Sequence, residues 1–357
     1  MTSVGIGVIG TGWWATQFHI PSVLANPDAS LRALADRDSD RLDAASVRYS
    51  QAASYNDHKS LLADPSVDAV VIATPHSSHF ELARDALLAG KHVLVEKPLS
   101  LDTADAYELK RLAVDAGLAL VVGHTYHHTR LAQRAREIIL SGTLGEITFV
   151  SGLFASMVTS YYSGRPDEYD EVFHFPVTGP AADTYSNPAL SGGGQGWTQM
   201  THLVDMIFWV TGLRCNSVFA RMSDAGLPVD LVDSTSFTLS NGALGTAGST
   251  GQLLPGQSQQ QEIRYYGTQG YILQELIHGT LEVVYNDGTK ESLDPLTSEE
   301  IYPAMTPVAS LIDIASGRTP VPSDGADSAI ATVEFLQCAY RSARSGHDQV
   351  VPAPPAV

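Results

Sequence analysis

The stretch "VGIGVIGTGWWA", residues 4–15, limits the possible folds more than any other part of the chain. Residues 4–9 read as a short buried strand of the kind found in a parallel sheet. Gly10-Thr11-Gly12-Trp13-Trp14-Ala15 follows without a spacer and fits G-x-G-x-x-A, and a helical stretch begins at about Trp13. The next strand-like run, "SLRALAD" at 30–36, ends in Asp36. Strand, glycine turn, helix and a terminal acid on the second strand make up the dinucleotide-binding fingerprint. In that reading Gly10 makes the tight turn, Gly12 lets the backbone approach a pyrophosphate, and Ala15 lets the helix pack close on the strand. Thr11, Trp13 and Trp14 line the same turn, with one tryptophan expected to pack on the sheet and the other to flank the nicotinamide. The Asp36 carboxylate would accept from ribose hydroxyls and repel a 2′-phosphate, so NAD is expected. Arg37 beside it leaves NADP possible.

Downstream, apolar runs alternate with helical patterns: "VDAVVIAT" (67–74), "HFELARDALLAG" (79–90), "KHVLVEK" (91–97), "TADAYELKRLAVDAG" (103–117) and "LALVVG" (118–123). This alternation predicts an α/β Rossmann domain with a doubly wound parallel sheet over residues 1–123. Ligands of such sheets bind beyond the C-terminal strand ends, where Thr74, Pro75, His76 and Lys97 fall. Thr74 and Pro75 are expected to line the cofactor path. His79 opens the next helix, as a cofactor contact or as a helix-end hydrogen-bonding residue. After about residue 124 the pattern changes to longer strand-like segments with Asn241-Gly242 and Asp287-Gly288 turn signals, closed by a helix over 327–346. An α+β domain with a mainly antiparallel sheet is expected over 124–357.

The net charge of −18 argues against nucleic acid and anionic membrane surfaces as partners. Two cysteines, Cys215 and Cys338, are too few for a disulfide framework. The N-terminus has no basic n-region, and no apolar run nears the length of a membrane span, so a cytoplasmic location is expected. His124, His127 and His128 cluster around Tyr126, but no ordered cysteine or carboxylate set accompanies them. A polar substrate pocket is expected there and no metal. The stretch "SGGGQGWTQMTH" (191–202) reads as a flexible or close-approach turn on the substrate side, because Gly10 and Gly12 already fill the phosphate-loop role.

The segment "IATPHSSHFELARDALLAGKHVLVEKPLS" (72–100) resembles the core of the Gfo/Idh/MocA oxidoreductases. "GVIGTGWWA", "ALADRD", "SGTLGEI" and "AYRSARSG" match the same family in the same order along essentially the whole chain. The resemblance implies an open sheet in the second domain, a homodimer or homotetramer, and NAD(P)-dependent oxidation or reduction of a secondary hydroxyl on a sugar, glycoside or cyclitol. It places Glu96 and Lys97 at the cofactor, with Lys97 also binding the reacting hydroxyl and relaying its proton. His202 is implied as acid–base, since imidazole titrates near neutrality. The family's aspartate four residues before this histidine is replaced by Thr198, and an i, i+4 pair would put both on one helix face. Asp205, one turn on, is a further carboxylate, expected either to orient His202 or to be a solvated or capping group. Tyr126 stands where relatives often have arginine. Gln199, with Arg165 and His174 from the aromatic, polar segment before the glycine turn, completes the expected substrate contacts. The alternative use of the same residues is an NAD-dependent glycoside hydrolase working by transient oxidation, elimination, water addition and re-reduction.

Overall fold

A computed structural model describes residues 3–169, 175–322 and 325–355. The chain forms two compact units. The first takes in the residues up to His124 together with the segments Gly164–Thr184 and Ala304–Ala326. Its sheet has six parallel strands: β1 (Val4–Ile9), β2 (Ala29–Ala35), β3 (Ala53–Tyr55), β4 (Ala69–Ile72), β5 (His92–Val95) and β6 (Leu120–Val122), in the order β3-β2-β1-β4-β5-β6. The order reverses at β1, so the crevice beyond its C-terminal end is a topological switch point. Every residue of β1 and β4 is buried, which is why both read as apolar runs without alternation. Helices Ser39–Arg48, His58–Leu62 and Thr103–Ala116 start at Asp38, Asp57 and Asp102, whose carboxylates accept from backbone N–H groups of the first turn. Helix Thr306–Ala315, far downstream in sequence, also belongs to this unit. Its Val308, Leu311, Ile312 and Ile314 join the core that contains Ile6, Val8, Val71 and Leu94.

The second unit holds a nine-stranded mixed sheet of β7 (Ile147–Ala155), β8 (Cys215–Ser223), β9 (Val232–Leu239), β10 (Leu244–Thr250), β11 (Gln260–Gly267), β12 (Gly270–Glu275), β13 (Thr280–Tyr285), β14 (Lys290–Ser292) and β15 (Gln349–Val350). Its order is β14-β13-β12-β11-β7-β10-β9-β8-β15. All neighbours are antiparallel except β7 and β10. The Asn241-Gly242 and Asp287-Gly288 signals make the β9–β10 and β13–β14 hairpins, and both glycines have the positive φ such turns need. Buried and exposed positions alternate along β9, and its buried set is Asp233, Thr235, Phe237 and Leu239. Helices Arg130–Leu140, Thr201–Thr211 and Asp327–Ser345 lie against this sheet. Ala331, Phe335, Cys338 and Ser342 of the last helix are buried, as its stripe predicts. Among the described residues no helix is long and apolar enough to cross a membrane.

Candidate active site

In the first unit, the fingerprint folds as its residues require. Gly10 sits at φ +90°, and a Cβ there would lie 2.4 Å from the Ala73 carbonyl oxygen, so no larger residue fits. A Cβ on Gly12 would meet nothing within 4 Å, which leaves bare backbone facing open space. That is the clearance a pyrophosphate needs at a helix start. Asp36 is buried and closes the turn. Its Oδ2 accepts from Thr11 N (2.8 Å) and Thr11 Oγ1 (3.0 Å), and its Oδ1 from Asp38 N (3.0 Å). Each carboxylate oxygen has more than one acceptor site, so these bonds leave capacity for ribose hydroxyls. Arg37 points outward and is exposed.

The helix after the turn opens with a π segment, Ala15–His19. In an α-helix residues five apart stand on different faces; the wider π turn brings Trp14 and His19 to one atom. Trp14 Nε1 donates to Glu96 Oε1 (2.8 Å), and His19 Nε2 lies 2.9 Å from the same oxygen. Glu96 Oε2 accepts from Lys97 N (3.2 Å). Gly123 makes room for this carboxylate: a Cβ there would sit 2.7 Å from Glu96 Oε1. Burial alone would raise the Glu96 carboxyl, but the His19 hydrogen bond and the charges of His19 and Lys97 hold it below its ordinary range. Trp13 packs edge-on against Trp14 and Phe175, at 5.0 and 5.7 Å between ring centres. Trp14 is therefore the inward tryptophan, tied to the strand end that carries Lys97.

Lys97 lies two residues beyond β5, beside a cis peptide to Pro98. Burial pulls its ammonium below the ordinary lysine range, and Glu96 opposes that pull. His79 has no exposed surface, and its two nitrogens face backbone carbonyls: Nδ1 lies 2.7 Å from Pro98 O and Nε2 2.9 Å from Thr74 O. The ring thus links the segment after Lys97 to the end of β4. Of the two roles expected for His79, this geometry fits that of a hydrogen-bonding residue at the helix end. Burial pushes the ring toward its neutral form against the two carbonyls, and a neutral imidazole donates to one of them at a time. Thr74 and Pro75 are half-buried at the same strand end, and His76 is buried 5.7 Å from the His79 ring.

The glycine turn belongs to the second unit. Gly192 caps the short helix Pro188–Ser191 at φ +81°. The next glycines serve close approach. A Cβ on Gly193 or Gly196 would meet Tyr340 Oη at 2.3 or 2.7 Å, and one on Gly194 would meet the Asp230 carbonyl oxygen at 2.0 Å. Gln195, fully buried, donates through Nε2 to Ser156 Oγ (3.2 Å) and Ser249 Oγ (2.7 Å), and its Oε1 lies 3.2 Å from Tyr162 Oη.

A second π segment, Gly196–Met200, leads into helix Thr201–Thr211. The Thr198 hydroxyl hydrogen-bonds Tyr162 Oη and the Gly194 carbonyl (2.9 Å to the latter). Thr198 is buried and Gln199 half-buried. His202 is 9% exposed, with the Tyr126 ring edge-on at 6.2 Å and the Phe154 ring at 6.3 Å. Tyr302 packs on Tyr126 at 5.2 Å.

Asp205 Oδ2 lies 2.5 Å from His127 Nε2, and the His127 ring stacks on Trp209 at 4.3 Å. Asp205 therefore pairs with His127, a partner that spacing along the helix does not indicate. One turn, Thr125–His128, thus meets the helix twice, Tyr126 at His202 and His127 at Asp205. Among the described residues no three histidine, cysteine or acidic side chains converge as a metal site. Arg165 forms an exposed i, i+3 pair with Glu168 (2.6 Å) in the first unit. His174 lies outside the described residues.

Burial and the neighbouring His127 pull His128 down to about 4. An unfolded histidine titrates near 6.5, so between roughly pH 6.5 and 4 the unfolded chain binds the extra proton. Stability is therefore lost as pH falls through that window. Thermal melts should show a Tm that falls less steeply with acidification in His128→Gln than in the parent; parallel slopes would contradict this account.

Asp230, Tyr340, Gln195 and His19 carry much of this geometry, and none was singled out from the sequence. Asp233 had one legible signal, a carboxyl in phase with the inward positions of β9.

The fold and fingerprint define a dinucleotide-binding oxidoreductase scaffold. Residues 4–124 match the oxidoreductase family with an NAD-binding Rossmann fold, and residues 132–273 match the GFO/IDH/MocA C-terminal domain. The chain belongs to the Gfo/Idh/MocA family, and its first domain is an NAD-binding Rossmann domain. It is similar to 1-carboxy-3-chloro-3,4-dihydroxycyclo hexa-1,5-diene dehydrogenase of Comamonas testosteroni, at 34% identity over 57% of this chain and 46% of the relative. It is also similar to myo-inositol 2-dehydrogenase of Thermotoga maritima, at 28% identity over 79% of this chain and 78% of the relative. The crystal structure of GenD2 from gentamicin A biosynthesis in complex with NAD superimposes with a TM-score of 0.79 at 25% identity, covering 99% of this chain and 97% of that one. The chain spans about half the length of several curated relatives it matches.

Proposed function

We propose that this chain is an NAD-dependent dehydrogenase acting on a secondary hydroxyl of a sugar, glycoside or cyclitol. The observation that carries the reading is the Trp14–Glu96–His19 hub, which ties the cofactor turn to the strand end bearing Lys97. Two relatives named for hydroxylated six-membered rings support the substrate class.

Gly10, Thr11, Gly12 and Asp36 would hold the dinucleotide, with Thr74, Pro75 and His76 along its path. Bound NAD supplies the hydride acceptor. Lys97 binds the reacting hydroxyl and relays its proton. His202 is the acid–base, held on edge by Tyr126 and Phe154. With Thr198 engaged by Tyr162, no carboxylate at that position raises the basicity of His202, so Lys97 takes the larger share of proton handling. Tyr126, Gln199, Arg165 and His174 are proposed substrate contacts. We also propose a homo-oligomer, associated through the sheet face of the second unit that carries exposed Ser234, Ser236 and Thr246, and a cytoplasmic location, consistent with two buried free cysteines.

The test is a screen of NAD reduction over monosaccharides, anhydrosugars, glycosides and inositols, with NADP in parallel. NADH should form in proportion to product with at least one ring polyol, and faster than NADPH. Release of an aglycone with no net NADH and solvent deuterium beside the oxidised carbon would replace this reading with the hydrolase. A higher rate with NADP would overturn the role given to Asp36.

A further inference from the structure

A buried carboxyl pair lies behind the glycine turn, outside the residues given chemical roles above. Asp230, in the loop before β9, collects three consecutive backbone amides. Gly194 N–H donates to Oδ1 (2.8 Å), Gly196 N–H to Oδ2 (2.8 Å) and Gln195 N–H to the Asp230 carbonyl oxygen (2.9 Å). Tyr340, from helix Asp327–Ser345, donates its hydroxyl to Oδ1 (2.7 Å). With three donors on its side chain, Asp230 acts purely as an acceptor.

Asp233 lies near it, 2% exposed, and among the described residues its carboxyl oxygens have no hydrogen-bond partner. Burial and the Asp230 charge push its carboxyl well above the carboxylate range, which favours the protonated form. Opposite Asp233 on β10 stands Ser249, whose hydroxyl accepts from Gln195. One strand, one helix and one loop therefore converge on residues 193–196.

The turn has little freedom to slide, since three of its glycines lack room for even a methyl group. Its position passes forward through two bonds to one atom: Gly194 O accepts from Thr198 N (3.0 Å) and Thr198 Oγ1 (2.9 Å). The π segment then runs directly into the helix whose second residue is His202.

We propose that Asp230 and Tyr340 are positioning residues that set the placement of the His202 imidazole by clamping the glycine turn. The catalytic significance of this clamp rests on the reading of His202 as the acid–base; the clamp itself does not.

The test uses Tyr340→Phe and Asp230→Asn in the full-length chain. Tyr340→Phe removes one hydrogen bond and keeps the ring stacked on Trp197. Asp230→Asn sets an amide donor against one of the backbone N–H groups that now find an acceptor. Two readouts are taken: the histidine Cε1–Hε1 NMR spectrum, with the His202 peak assigned by its loss in His202→Gln, and kcat alongside the KM for NAD. The His202 peak should move in both variants, and kcat should fall by about tenfold or more in Asp230→Asn, as expected for a displaced catalytic group. The KM for NAD should stay within about twofold, because the fingerprint is untouched. If Asp230→Asn fails to fold, Tyr340→Phe decides alone through the His202 peak. An unmoved His202 peak, or a KM for NAD that rises in step with the loss of kcat, would overturn the proposal. A moved peak with full turnover in His202→Gln would uphold the clamp and overturn the catalytic reading of His202.

Discussion

Lys97→Ala should lower kcat/KM by about 10²- to 10⁴-fold, the usual range for losing a positioned proton-transfer group. NAD affinity should change little, since Gly10, Gly12 and Asp36 are held by their own bonds within the turn. The size of the effect follows from the surroundings of the lysine. Its backbone N–H is bound by Glu96, and Glu96 is in turn fixed by Trp14 and His19. A lysine anchored this way and partly desolvated has lost much of the freedom that makes a surface lysine dispensable. Lys97→Met keeps the apolar stem and removes only the charge, so its loss should match that of alanine. Steady-state kinetics with fluorescence titration of NAD checks both. A loss under tenfold in both variants would remove Lys97 from the chemistry.

Gly194→Ala should cost roughly 2–3 kcal/mol of stability, at the upper end for overpacking a tight site. The added methyl would stand 2.0 Å from the Asp230 carbonyl oxygen, and that obstacle is backbone, with no rotamer by which to retreat. Gly248→Ala is the matched control. It lies on β10, and a Cβ there has its nearest neighbour at an ordinary 3.7 Å. Denaturant unfolding of the pair should give a large loss for the first and a change within about 0.5 kcal/mol for the second. Equal effects would mean that the glycine turn adjusts freely and is not clamped.

The first unit was the more legible in sequence because its signals are local. A strand buried on both faces shows as an apolar run, and a turn with positive φ or close backbone approach selects glycine. The fingerprint, the strand ends at Thr74 and Lys97, the helix over 327–346 and both hairpin turns could all be read within a few residues of chain. The two π segments could not, because nothing in the composition of "ATQFH" or "GWTQM" marks one extra residue in a turn. That extra residue decides which side chains meet: in the first segment it brings His19 to Glu96 beside Trp14. The partnership of Asp205 with His127 depends on elements 78 residues apart in sequence. The return of helix Thr306–Ala315 to the Rossmann core is equally non-local.

The sequence by itself determined the doubly wound sheet and the dinucleotide turn, since both depend on residue type and short-range spacing; the proton-handling roles proposed for Lys97 and His202 follow from the family resemblance. The tertiary structure alone decided what holds them. Glu96 fixes Lys97, Tyr126 and Phe154 flank His202, and Asp230 holds the glycine turn. These partners are buried polar groups that must be satisfied by whatever the fold brings alongside, and pairing of that kind leaves no periodic trace in the chain.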